Sequence, residues 1–323
     1  MALKPPSHET GDPDGLTRST ASSTTNDIGL MDGRSKLGSL LMGLPQELLI
    51  EIFRFTINEH GGQPNAVNPL LLGRICRSWR AMVFETWTFW QEVNLTISPH
   101  CSTQISLLAE WTARAGSLPL SVSIIDPKGL LNAKEELTRL LGLIRSLSPR
   151  IHSLALETLI PFYDEWQNCS LADYSWPLLS NLSLATTFEA STLSDPASRL
   201  DFSSCPMLTT ATIKSFYHFY IPLPWRSLLH LRFDSVCCSE VYAALQSCTR
   251  LETLEVYGIV DDDPSPIDSV VQRPLKTLTL KLEMEDGSRE CWRIVNSLRL
   301  PELRILEIKI ASSRPVTGHK FDI

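Results

Sequence analysis

The chain has 323 residues, 43 % of them hydrophobic, and 29 basic against 36 acidic residues give a net charge of −7. That is enough apolar material for one large domain or a small domain joined to a larger one. The acidic balance argues against a nucleic-acid-binding body, and with no apolar run near 18 residues long no membrane-spanning helix is expected.

Residues 1–38 are rich in Ser, Thr, Asp and Gly and hold few large apolar residues. Ordering them would cost backbone entropy that little burial offsets, so a disordered tail is expected. No apolar segment of a secretory signal opens the chain. The eight cysteines form no C-x-x-C pair and are expected to be reduced thiols of a cytoplasmic or nuclear protein, in which the Asn94, Asn168 and Asn181 glycosylation-type triplets have no meaning.

The pattern changes in LPQELLIEIFRFTI, which starts at Leu44. Pro45 suits the first position of a helix, and Glu47 suits the positive end of the helix dipole. Leu48, Leu49, Ile52, Phe53 and Ile57 then fall on a helical stripe. Asn58 to Pro69 holds Gly-Gly and two prolines and reads as a loop. A second helix is expected to carry Leu71, Leu72, Ile75, Cys76, Trp79, Met82 and Val83 on one face, followed by the aromatic stretch Trp87 to Trp90. Two short helices with stripes this wide cannot bury both against each other. They leave an apolar patch either for a partner or for packing on the C-terminal body.

Three separated pieces carry a resemblance: Leu44-Pro45-x-Glu47-Leu48-Leu49-x-x-Ile52-Phe53, Leu72-x-x-Ile75-Cys76-Arg77-x-Trp79-Arg80, and Phe89-Trp90. In this order they resemble the F-box, and most of all the F-box-like proteins abundant in mushroom-forming fungi. The resemblance covers about Leu44 to Val93 and implies a small all-α module, 39–93, that docks on the Skp adaptor and through it on a cullin. It carries Leu44, Pro45, Leu48, Ile52, Phe53, Ile75, Trp79 and Val83 over as adaptor-binding or module-core residues, without separating the two roles. The loop between the helices is longer than in the commonest F-boxes, and Trp87 stands where a proline often precedes the terminal aromatic pair.

From there an apolar pattern at i, i+3 and i+5 recurs, as in Ile151-Leu154-Leu156, Leu179-Leu182-Leu184, Leu208-Ala211-Ile213, Leu228-Leu231-Phe233, Leu251-Leu254-Val256, Leu275-Leu278-Leu280 and Leu303-Leu306-Ile308. Weaker units start at Trp90 and Pro119. One short strand per 20–29 residues is the signature of leucine-rich repeats. Helix-like pieces at 106–115, 133–147, 239–248 and 289–298 supply the crossovers of parallel strands. The expected fold is therefore α/β: the all-α module, then an irregular leucine-rich-repeat-like solenoid with a parallel sheet over 94–323.

The Asn or Cys that ends each unit in that family is replaced by Leu159, Thr187, Phe216, Val236, Ile259, Glu283 and Ala311, so irregular turns are expected. No polar closing unit follows the last strand, which leaves an open edge or a truncated chain. Strand alternation points Arg232, Asp234, Glu255, Tyr257 and Lys281 away from the core, as contacts for an unidentified target protein or as an ordinary solvated face.

No phosphate-cradling, nucleophile-elbow or metalloprotease motif occurs. His230, Cys237, Cys238 and Cys248 fit no zinc spacing, and Asp261-Asp262-Asp263 lacks the alternation of a calcium loop. Cys76, on the apolar face of a helix, is a poor nucleophile. Neither metal nor cofactor is expected. The F-box resemblance implies a non-catalytic substrate-recognition subunit of a Skp–cullin–F-box ubiquitin ligase. The alternatives are an interaction scaffold acting outside a ligase and an enzyme with an unrecognised site.

Overall fold

The structure, a computed structural model, describes residues 43–58, 69–131, 133–168, 174–186, 201–216, 221–260, 270–271, 274–282, 295–310 and 319–322. The predicted tail, most of the loop between the first helices, the Asp261–Asp263 run and most of the helix expected at 289–298 lie outside these residues. The chain divides into two compact units, residues 1–53 and 54–323.

The first helix, α1, spans Gln46–Asn58. The N–H groups of Leu48 and Leu49 both donate to the Pro45 carbonyl, at 3.1 and 3.2 Å. Pro45 thus caps the helix, one residue ahead of the first-turn position expected for it; in either place its missing N–H costs nothing.

The single second helix expected from Leu71 to Val83 is two helices, α2 (Pro69–Leu72) and α3 (Arg77–Glu85). After Leu72 the backbone tightens, with Arg74 N–H donating to Leu71 O and Ile75 N–H to Leu72 O. Cys76 then turns extended, at φ −153°, and its Sγ accepts from Trp79 N–H at 3.4 Å. Cys76 is therefore the cap of α3 and not a residue of an apolar helix face. The periodicity hid the break because apolar residues recur on both sides of Gly73. Arg80 Nε donates to Gly73 O at 2.9 Å and ties the two helices. A 3-10 turn, Trp87–Trp90, follows, and Trp90 Nε1 donates to Val83 O at 2.9 Å.

The remainder is mixed α/β. The strands are β1 (Glu92–Thr96), β2 (Leu120–Ile125), β3 (Ile151–Thr158), β4 (Asn181–Thr186), β5 (Thr210–Lys214), β6 (His230–Cys237), β7 (Thr253–Val260), β8 (Val270–Val271), β9 (Thr277–Leu282), β10 (Leu298–Arg299), β11 (Ile305–Ile310) and β12 (His319–Asp322). Nine of them form one parallel sheet in the order β1-β2-β3-β4-β5-β6-β7-β9-β11, and β12 pairs antiparallel with β11. The last parallel strand is thus not the open edge expected of it. The weaker units at Trp90 and Pro119 are true strands, β1 and β2. The short β8 and β10 pair apart from this sheet.

Register converts the sequence pattern into columns. The i+3 residues stack as Val93, Val122, Leu154, Leu182, Ala211, Leu231, Leu254, Leu278 and Leu306. The i+5 residues stack as Leu95, Ile124, Leu156, Leu184, Ile213, Phe233, Val256, Leu280 and Ile308. From β2 to β9 both columns are buried. Every strand must keep one parity, because a one-residue slip would turn its leucines to solvent.

Helices α4 (Cys101–Arg114), α5 (Lys134–Leu147), α6 (Ile160–Asn168) and α7 (Cys238–Ser247) lie between strands; α4 packs on β1 and α5, α5 on α6, and α7 on β6. Leu137, Leu140, Leu141 and Ile144 of α5 are buried at helical spacing. Near α6, Phe162, Trp166, Trp176 and Phe202 are all buried, and Phe162, Trp176 and Phe202 each have a ring centroid about 6 Å from that of Trp166.

Three of the turns share one device. Ser215, Ser235 and Gly258 all adopt left-handed backbone, at φ 58°, 57° and 63°. They follow Lys214, Asp234 and Tyr257, which are register neighbours on β5, β6 and β7. The extra residue lets the chain step sideways and return Phe216 and Val236 to the buried interior. Left-handed backbone costs a non-glycine residue roughly 1–2 kcal/mol, so Ser215 and Ser235 are held there by their neighbours. One such bond runs from Ser215 N–H to Asp234 O at 2.9 Å.

Candidate functional site

Two surfaces hold the residues singled out in the sequence. In α1 the stripe splits into two roles. Leu49 and Phe53 are buried, Phe53 to 2 % exposure, whereas Leu48 and Ile52 remain 53 % and 43 % exposed and Phe55, one turn on, 65 %. Leu48, Ile52 and Phe55 follow at i, i+4 and i+7, one face of the helix. Leu44 is half-buried and Pro45 exposed.

In the second unit, Val83 is fully buried and Trp79 half-buried. Ile75 is 61 % exposed because it lies in the turn between α2 and α3. Leu70 and Leu71 of α2 and Trp87 are also exposed. Of the eight residues carried over from the F-box, Phe53 and Val83 have their apolar surface committed to the fold, whereas Pro45, Leu48, Ile52 and Ile75 keep much of theirs open.

The second surface is the polar face of the sheet. Register brings Arg232, Glu255, Thr279 and Glu307 into one row, and Asp234, Tyr257, Lys281 and Lys309 into the next. Tyr257 is its centre. The Arg232 guanidinium sits 4.1 Å from the ring centroid and Lys281 Nζ 5.5 Å. Its hydroxyl donates to Glu255 Oε2 at 3.2 Å. A cation over an aromatic face is held by the ring quadrupole. The Tyr257 phenol is pushed above its ordinary range, chiefly by partial burial and then by the Glu255 carboxylate. Lys309 pairs with Glu307 at 3.0 Å. All five residues predicted for target contact thus lie together, with Lys214 and Lys309 beside them in the same register row.

Toward β1 two rows of the same face are small and rich in hydroxyls, Ser121, Ser153, Asn181 and Thr210 in one and Ser123, Ala155, Ser183 and Thr212 in the other, with Glu92 and Glu157 the acids in register beside them. The face therefore has a hydroxyl-rich half and a half in which charges are dense.

The sequence reading missed the left-handed ridge of Ser215, Ser235 and Gly258, which borders the charged half. Its signal is a small residue seven positions beyond the Leu208, Leu228 and Leu251 starts.

Among the described residues no three His, Cys, Asp or Glu side chains cluster to hold a metal ion. Burial pushes the Cys205 and Cys248 thiols up to about 12, so neither is a thiolate near neutral pH. No helix among the described residues is long and apolar enough to cross a membrane. No known family model matches the chain, and no curated protein matches it.

Proposed function

We propose that this protein is a non-catalytic substrate-recognition adaptor of a Skp–cullin–F-box ubiquitin ligase, acting in the cytoplasm or nucleus. The Leu-Pro-led segment docks on the Skp adaptor, and the repeat-like body holds an unidentified target, so that the ligase's other subunits act on it by proximity. The observation that carries the reading is the split of α1, with Leu49 and Phe53 buried and Leu48, Ile52 and Phe55 open to solvent. Leu48 and Ile52 of this open row are among the residues that the F-box resemblance carries over as adaptor-binding or module-core, and Phe55 extends the row. The body reading is supported by strands that follow one another in chain order as a parallel sheet with unbroken apolar columns. The charged half of the sheet face, centred on Tyr257, is the target-facing surface in this reading.

The test is binding of the purified full chain to its host's Skp adaptor, with Leu44→Ala/Pro45→Ala as comparison. Tight binding lost in the double variant is expected. No binding by folded wild type would remove the ligase reading. Adaptor binding without cullin co-purification would favour the alternative, an interaction scaffold that acts outside a ligase.

A further inference from the structure

We infer that two copies of this chain join their sheets edge to edge, β1 of one antiparallel to β1 of the other, on a two-fold axis through Asn94. β1 stands at one end of the parallel sheet and pairs with β2 alone among the described strands. In a parallel ladder alternate residues of a strand bond one neighbour, and those between face the opposite way. Ser121 N–H donates to Gln91 O at 2.9 Å and Ile97 N–H to Ile125 O at 2.8 Å. With the register of the two strands, this puts the backbone groups of Val93 and Leu95 on the β2 side. Those of Glu92, Asn94 and Thr96 point away from it. Thr96 O is already met, by Gln104 Nε2 at 2.8 Å. The Asn94 N–H and C=O have no partner among the described residues, and Asn94 is exposed. An open edge of this kind is a template for a further strand.

The residues along the edge select a second copy as that strand. A two-fold contact sets a segment against itself in reverse order, so the surface must complement itself. With the axis through Asn94, the two Asn94 backbones exchange N–H to C=O bonds. Val93 then lies opposite Leu95 of the second copy, apolar against apolar, and Glu92 opposite its Thr96, so no like charges meet. An axis through Glu92 would set two carboxylates against each other, and one through Thr96 would compete with Gln104. The cleft along the same edge is lined by Leu70, Asn94, Leu107, Glu110 and Arg114, among others. Leu70 and Leu107 are 44 % and 55 % exposed, and Glu110 is exposed too. A patch that carries both an acid and a base beside open leucines suits its own copy, which brings the opposite charge to each; a patch of one sign would repel it. This inference is independent of the ligase reading, since the edge uses none of the Leu44–Phe53 segment.

Sedimentation velocity of the full chain tests it. Wild type is expected to be a dimer at about 100 µM and to dissociate on dilution, as a small interface does. Asn94→Lys and Asn94→Asp, changes at an exposed position, are each expected to be monomeric, because like charges then face each other across the axis. Mixed one to one, the two variants are expected to recover the dimer, since a lysine then faces an aspartate. Asn94→Pro removes the outward N–H and no bond between β1 and β2, and is expected to be monomeric as well. Wild type that stays monomeric at about 100 µM would overturn the inference. So would a dimer that persists in Asn94→Lys or in folded Asn94→Pro, or a mixture of the charged variants that stays monomeric. Circular dichroism checks the fold of each variant. Should Asn94→Pro fail to fold, the charged pair still decides.

Discussion

Replacing Leu48 and Ile52 together by alanine is expected to weaken partner binding without weakening the fold. Each side chain keeps about half its surface open, at 53 % and 43 % exposure. Complete burial of such a side chain is worth roughly 1.5–3 kcal/mol, so a partner covering the open half gains roughly 0.7–1.5 kcal/mol from each. The pair is then worth about 1.5–3 kcal/mol, a roughly ten- to hundredfold change in Kd for the Skp adaptor. Surface truncations of this kind usually move folding stability by less than about 0.5 kcal/mol. Phe53→Ala, on the buried face of the same helix, is the contrast: it is expected to cost about 3–5 kcal/mol of folding stability. Biolayer interferometry against the adaptor and urea unfolding followed by circular dichroism give the two readouts. A double variant that binds like wild type, or that loses as much stability as Phe53→Ala, would refute the division of α1 into a partner face and a core face.

Other consequences concern the sheet. Gly258→Ala is expected to cost about 1 kcal/mol in urea unfolding, since a Cβ there meets its nearest atoms at an ordinary 3.6 Å and the strain lies in the φ of +63°. Ser235→Gly relieves the corresponding strain and is expected to cost nothing or to stabilise slightly. In an ultraviolet pH titration Tyr257 is expected to ionise above the ordinary tyrosine range, and Glu255→Gln to bring it down. Because the folded state favours the neutral phenol, its contribution is fully present below the unfolded value of about 10 and is lost as pH rises through the folded value, so stability falls on the alkaline side. Cys205 and Cys248 are expected to resist iodoacetamide at pH 8 in folded protein and to react in urea, as read by peptide mass spectrometry, since burial pushes both thiols up to about 12.

Much of the fold was legible because strands leave a strict mark. Side chains alternate with period two, and a recurring i, i+3, i+5 pattern can only be satisfied when equivalent positions stack. Leu154, Leu182, Leu231, Leu254 and Leu278 stand in one column because each is the i+3 residue of its unit. The same alternation puts Arg232, Asp234, Glu255, Tyr257 and Lys281 on one face. The break between α2 and α3 was not legible, because a cysteine rarely caps a helix and the apolar periodicity continues across Gly73. Nor was the closing strand β12, since His319–Asp322 carries no repeat pattern and gains its place by pairing with β11.

The sequence by itself therefore determined the unit of construction: a short helical segment led by Leu44-Pro45, then strands spaced 20–29 residues apart with one apolar and one polar face. Those features are local, set by periodicity and by what proline and leucine do to a backbone. Tertiary structure decided which apolar residues are used up. On sequence Leu48 and Phe53 belong to the same stripe, yet one is half open and the other buried. It also decided the stacking of Arg232 and Lys281 on Tyr257, and the left-handed steps at Ser215, Ser235 and Gly258. Burial and side-chain stacking depend on which neighbours long-range packing brings within reach, and the order of residues along a chain does not state that distance.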